Sequence, residues 1–269
     1  MRLKLILRPL VANQALIFNY HHPFASWIYD RINSSDASYA TFLHQKGYQA
    51  EHSPKHFKHF TFSKFEVGEF AKPIASGDDA MFLGLKPISV VVSFYVEQAA
   101  QNFILGIFKD QKLSIFNKYH TADFIVEEVL RLPQLVIAEN TLRLKALTPM
   151  VIAEKQTNGN DLYLNPEDPK FANYFAINLI SKYQSLQNSS LKVDLETARQ
   201  LVKFELLDTS RMKQKVVTIK QNKDAATQIK GYFGFSFMLT APKELIEIGY
   251  YGGFGKYCSV AGMGFTELF

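Results

Sequence analysis

The sequence predicts an α+β protein built from two tandem ferredoxin-like (RRM-like, βαββαβ) domains, followed by a C-terminal glycine-rich loop. Three observations carry this reading. Both halves run through the same order of patterns: strand, helix, strands, helix, strand. The strand segments alternate apolar and polar residues or form β-branched runs. The composition, 47% hydrophobic and 20% charged, is that of a chain with a packed core rather than a disordered one. Pro133 falls where the pattern restarts, which sets the domains at 1–137 and 138–269.

Leu3, Leu5 and Leu7 alternate along an opening strand. Phe24–Arg31 reads as a helix with Pro23 at its start, and Ser35 or Asp36 opens a second helical stretch that ends at His44. The basic stretch His52–Lys58 is loop-like and leads into a strand at Phe60–Phe65. Ile88–Val96 is a buried strand, Gln98–Ile107 a helix, and Lys112–Asn117 and Asp123–Leu130 are strands. In the second half, Leu142–Pro149 is a strand and Lys170–Leu186 a helix, with strands at Ala198–Leu207 and Lys213–Gln221. Ile229–Leu239 reads as one strand with Phe233, Phe235, Phe237 and Leu239 on a single face. Thr240 is placed to cap a final helix that has Pro242 in its first turn.

The 269 residues carry a net charge of +5 and a pI near 9.0, which points toward a polyanionic partner. Many basic proteins bind no nucleic acid, so the distribution of charge has to decide. A single cysteine, Cys258, excludes an intrachain disulfide and makes a reducing, cytoplasmic compartment the expectation. The start, MRLKLILRPL, is not a signal peptide, because Arg8 and Pro9 cut the apolar run short. No apolar stretch approaches the ~20 residues that span a bilayer, so no membrane association is expected.

Near the end stands GYYGGFGKYCSVAGMGF, in which six of seventeen residues are glycine. It is neither of the familiar phosphate loops. A dinucleotide fingerprint starting at Gly253 would need glycine where Cys258 stands, and would follow a strand rather than a helix. A Walker loop would need glycine and Ser or Thr where Tyr250 and Tyr257 stand. What remains is a doubled Gly-hydrophobic-Gly step, Gly253-Phe254-Gly255 and Gly262-Met263-Gly264. Such steps bury the apolar residue and can turn backbone N–H groups outward as an anion-binding concavity, with Lys256 adding a cation. The plainer reading is a tight turn into the last strand.

This loop resembles the C-terminal glycine-rich loop of the RAMP superfamily, and in particular of the CRISPR-associated endoribonuclease family that cuts precursor CRISPR RNA within its repeats. The resemblance extends through Ser26-Trp27-Ile28-Tyr29, Ser34-Ser35-Asp36, Phe42-Leu43-His44, Phe60-Thr61-Phe62-Ser63 and Leu147-Thr148-Pro149-Met150, in the family's order. The two glycine steps stand six residues apart, one more than is common there.

Six of the seven histidines lie between His21 and His59. One reading is a metal site from His52, His56 and His59, disfavoured by Pro54 and by the neighbouring Lys55 and Lys58. The other is metal-independent RNA cleavage, in which the 2′-hydroxyl is the nucleophile and neutral-range histidines move protons. The resemblance implies the second, with no cofactor. It carries the catalytic roles onto Tyr29, His44 and Lys58, the lysine stabilising charge on the phosphorus. His44 could also be a plain helix-terminal histidine, and His21, His22, His56 and His59 remain alternatives to it. Cys258 reads as a loop filler.

For RNA binding, Thr209–Lys230 holds Arg211, Lys213, Lys215, Lys220, Lys223 and Lys230 against the one acid Asp224. On a hairpin, Lys213 and Lys215 would share a face, although a solvated strand face is the simpler account of any charge run. With this run belong Gly253, Gly255, Lys256, Gly262 and Gly264 of the loop as expected RNA contacts. The implied function is cleavage of precursor CRISPR RNA to 2′,3′-cyclic phosphate and 5′-hydroxyl ends. The alternatives are a non-catalytic repeat-RNA-binding subunit of the same fold and a metal-dependent hydrolase. Repeat RNA is the expected partner, other CRISPR effector subunits a further one, and the chain is expected as a monomer or homodimer.

Overall fold

Leu3, Leu5 and Leu7 face one way from an eight-residue strand, and all three are buried. The structure, a computed structural model, describes residues 1–50, 54–68, 72–73, 79–186, 196, 200–219 and 227–269. It divides into two units, Met1–Lys46 with Phe62–Gln134, and Gly47–Thr61 with Leu135–Phe269. The segment Gly47–Thr61, which the sequence reading places in a domain 1–137, groups with the second unit.

The first unit takes its order from β1 (Arg2–Pro9), α1 (His21–Ser35), α2 (Ala37–Thr41), β2 (Phe60–Phe62), β3 (Ile88–Phe94), α3 (Glu97–Lys109), β4 (Lys112–Phe116) and β5 (Thr121–Arg131). The chain passes between the units within β2. The sheet runs β2-β3-β1-β5-β4, with β1 antiparallel to both β3 and β5. Apart from the added edge strand β4, this is the strand order of a βαββαβ unit. Leu5 lies in register with Val90 on β3 and Val129 on β5. The helix α1 presents Phe24, Ala25, Trp27, Ile28 and Ile32 inward at helical spacing. It crosses α3 so closely that a Cβ on Gly106 would stand 1.9 Å from the Arg31 carbonyl oxygen, which accounts for a glycine inside a helix. Asp36 caps α2 by accepting from the Tyr39 amide at 2.9 Å.

The second unit repeats the plan with β6 (Thr141–Ala146), α4 (Phe171–Gln184), β7 (Lys203–Asp208), β8 (Lys213–Ile219), β9 (Thr227–Phe233), β10 (Ser236–Thr240), α5 (Lys243–Gly252), α6 (Cys258–Ala261) and β11 (Thr266–Leu268). Its main sheet runs β7-β10-β6-β11, the same order again, with the β8–β9 hairpin inserted between the second and third strands. The protein is thus a tandem ferredoxin-like α+β fold. Phe175, Phe204, Phe237 and Phe254 stack or meet edge-on over this sheet, with ring centroids 4.9–6.0 Å apart.

Several elements differ from the sequence reading. Ile229–Leu239 is two strands, because Gly234 at φ +80° lets the chain leave β8 and join β6 and β7. Thr240 does not cap α5: its hydroxyl meets that of Thr141 at 2.9 Å, and the helix starts after Pro242 with no side-chain cap. The stretch before Phe60 is partly paired, His56–Phe57 against Tyr48–Gln49.

Candidate functional site

On α1, burial of Phe24, Ile28 and Ile32 leaves Tyr29, Asp30 and Asn33 on the side turned from the core. After α2 the chain widens into a single π-helical turn, Phe42–Lys46, with Leu43 buried and His44 exposed. Such one-turn π segments concentrate at functional sites. With the end of α2, these elements wall a hollow of about 220 Å³ whose lining includes Tyr29, Asp30, Asn33, Thr41, His44 and Gln45. In it the Tyr29 and His44 rings meet edge to face, with centroids 5.4 Å apart and planes at 83°. A phenol and an imidazole side by side can accept and donate protons at one substrate group.

Lys58 belongs to the second unit. Its half-buried side chain lies over Gly47, where an added Cβ would stand 2.8 Å from the Lys58 Nζ. Desolvation pulls its pKa down from 10.5 to about 8. The histidine cluster separates by burial. His22 and His56 are exposed. His21 is buried, its ring stacked on Tyr20 at 4.4 Å. His59 is also buried, with its Nε2 2.8 Å from the Ser185 Oγ. Burial and the nearby Lys182 charge lower its pKa to about 3, so it is a neutral structural residue. His52 lies outside the described residues, and among the described residues no three His, Cys, Asp or Glu gather as metal ligands.

The hairpin strands β8 and β9 split the basic residues between faces. Lys213 and Lys215 stand opposite Phe233 and Gly231, in the row that continues to the buried pair Val217 and Ile229. Lys230 stands opposite Val216 in the other row. Arg211, Lys213, Lys215 and Lys230 are all exposed; Lys220 and Lys223 lie outside the described residues.

In the glycine loop, the amides of Phe254, Lys256 and Gly264 donate inward, to the carbonyls of Gly264, Val151 and Pro149 at 2.8–2.9 Å. Gly253, Gly255, Gly262 and Gly264 all have positive φ. A Cβ on Gly255 would stand 2.5 Å from the Val151 oxygen, and one on Gly264 1.8 Å from the Phe254 oxygen. The outward-facing amides expected from the sequence are therefore not found at these three positions: the glycines admit the protein's own backbone. Nor is Lys256 a loose cation, because it meets Asp161 at 2.8 Å, with Lys155 on the same carboxylate at 3.7 Å. Cys258 is buried among backbone carbonyls as a filler, 3.3 Å from that of Gly255.

Residues 15–130 match the family model described as CRISPR-associated protein Cas6, N-terminal, and residues 131–268 match CRISPR associated protein Cas6, C-terminal. The chain belongs to the Cas6 family. It is 27% identical over 246 residues to CRISPR-associated endoribonuclease Cas6 1 of Methanocaldococcus jannaschii, covering 89% of this chain and 82% of the relative. It is 24% identical to the CRISPR-associated endoribonuclease-like protein Cas6nc of Pyrococcus horikoshii, over 100% of this chain and 99% of that one. Among solved structures, a Cas6-related protein of Pyrococcus furiosus superposes with a TM-score of 0.76 at 21% identity, covering 100% and 98% of the two chains. A RAMP protein described as binding different RNA substrates superposes at 0.74 and 22% identity, over 100% and 99%. Both support the Cas6 fold, and no described helix is long and apolar enough to cross a membrane.

Of the residues singled out by sequence in this Cas6 chain, the structure brings Tyr29 and His44 together. Sequence reasoning missed Asp161, 95 positions from Lys256, and Ser185, whose partner His59 is 126 positions away. No local signal marks either.

Proposed function

We propose that this chain cleaves CRISPR repeat RNA without metal assistance. The observation that carries the reading is the Tyr29–His44 ring pair in its hollow, in a chain of a family that includes a named endoribonuclease. His44 and Tyr29 share the two proton transfers: one leaves the 2′-hydroxyl as its oxygen attacks the adjacent phosphorus, and one reaches the departing 5′-oxygen. The P–O5′ bond breaks as the P–O2′ bond forms, giving a 2′,3′-cyclic phosphate and a 5′-hydroxyl. The Lys58 ammonium stabilises the charge on the pentacoordinate phosphorus. Arg211 just before the hairpin, and Lys213, Lys215 and Lys230 on it, contact RNA phosphates, and the glycine loop with Lys256 forms a scaffold beside them.

Cleavage of an end-labelled repeat RNA in EDTA tests this. Wild type should cut, and His44→Ala should lose about 10²–10⁴-fold in single-turnover rate with RNA affinity retained. Undiminished cutting by His44→Ala removes His44 from the mechanism. Tight binding by wild type with no cutting makes the chain a repeat-RNA-binding subunit instead.

A further inference from the structure

Helix α4 ends in two buried polar side chains, Lys182 and Ser185, 3% and 1% exposed. The Lys182 Nζ donates to the Gly253 carbonyl and lies 3.2 Å from the Cys258 Sγ, which ties the helix to the glycine loop. Ser185 reaches the other way. Its hydroxyl donates to the Lys182 carbonyl at 2.7 Å. With that proton committed, the Ser185 oxygen accepts at 2.8 Å from the His59 Nε2–H, which fixes the tautomer of a neutral ring.

His59 is an unusual residue to hold. It is one of four non-glycine residues with positive φ among the described residues, at +52°, a backbone state that persists only where its surroundings enforce it. They do so on several sides. Tyr48 and Phe57 flank the ring at 5.4 and 5.8 Å, and the Gly252 Cα lies so near that an added Cβ would touch the His59 Cα at 3.4 Å. The residue whose direction this turn sets is Lys58, immediately before it in the chain and laid over Gly47.

We propose that Ser185 is a positioning residue for Lys58, acting through the His59 ring. For catalysis this rests on the role given to Lys58 above; for geometry it stands on the second unit alone. The ring bond anchors the left-handed turn, and the turn keeps the Lys58 stem over Gly47, where its ammonium is partly desolvated. Without the anchor, the turn relaxes toward ordinary backbone and the Lys58 ammonium swings into water.

The test uses the full chain and two readouts. Competitive labelling of Lys58 with an amine reagent across pH should give a titration near 8 in wild type, moved upward by a unit or more in Ser185→Ala. His59→Phe, which keeps a ring between Tyr48 and Phe57 but removes the bond to Ser185, should move it likewise and stands in if Ser185→Ala folds poorly by circular dichroism. In single-turnover cleavage at saturating repeat RNA, Ser185→Ala should lose about tenfold with RNA affinity unchanged, and should lose nothing further in a Lys58→Ala background. A Lys58 titration that stays near 8 in both variants overturns the proposal, as do Ser185 and Lys58 losses that multiply. If Lys58→Ala cuts as fast as wild type, Lys58 leaves the mechanism, and the labelling shift alone then decides whether Ser185 sets its position.

Discussion

Replacing Gly264 by alanine separates the two explanations of the glycine loop. The residue sits at φ +69° with the Phe254 oxygen 1.8 Å from where a Cβ would be. Placing alanine in the left-handed region costs about 1–2 kcal/mol. The clash is with backbone, so the loop must open. Opening loses the Phe254 amide to Gly264 carbonyl and Gly264 amide to Pro149 carbonyl bonds, both 2.9 Å, at about 1 kcal/mol each. The sum is about 3–4 kcal/mol, or roughly 6–16 °C of melting temperature for a chain of this size. Gly159 is the control: φ is +83° with nothing within 4 Å, so Gly159→Ala should cost only about 1–2 kcal/mol. Urea and thermal unfolding followed by circular dichroism measure both. If Gly264→Ala is as stable as Gly159→Ala but binds RNA poorly, the loop serves the ligand and the packing account is wrong.

Three further outcomes follow from the electrostatics. Lys58 titrates near 8, so its positive charge, and with it the cleavage rate, should fall as pH rises through that value. Lys58→Arg, charged throughout, should remove the decline; a decline that survives the substitution belongs to another group. His59 takes up its proton near pH 3 in the folded chain against 6.5 unfolded. The unfolded state therefore binds the proton first, and stability held above pH 6.5 drains away as pH falls toward 3. Urea midpoints between pH 7 and 4 should fall less steeply in His59→Asn, and equal slopes would remove His59 as a source of acid lability. Asp161→Asn frees Lys256 and Lys155, so repeat-RNA affinity should show a salt dependence steeper by about one unit in log–log slope. An unchanged slope places this lysine group away from the RNA.

The sheets were legible because their strands carry burial in alternation: Leu3, Leu5, Leu7 and Val90, Val92 all turn inward as the pattern predicts. Phe235, Phe237 and Leu239 are buried as well. The same alternation hid the break at Gly234, since hydrophobic periodicity records which face is buried and not which strand is the partner. Tyr29 and His44 were legible by resemblance, being only fifteen positions apart in the chain. The histidine cluster was not, because burial separates His21 and His59 from His22, His44 and His56 while the letters are identical. The glycine loop shows a third case. Its spacing was visible, but what approaches the glycines is the carbonyl of Val151 or Phe254, and only the folded chain reveals that.

The Lys58 segment also carries a consequence for biosynthesis. Thr61, just after it, donates its hydroxyl to the Met263 carbonyl at 2.9 Å, across 202 positions of chain. His59 waits for Ser185, 126 positions on. At ~5–20 residues per second, a ribosome takes roughly 10–40 s to pass from Thr61 to Met263. Until that interval ends the lysine exists without the full set of contacts that hold its segment, whereas the strands and helices of the first unit are complete by Gln134. The nascent chain thus has every residue of its Tyr29–His44 pair early, while the anchors of the Lys58 segment are among the last residues to be made.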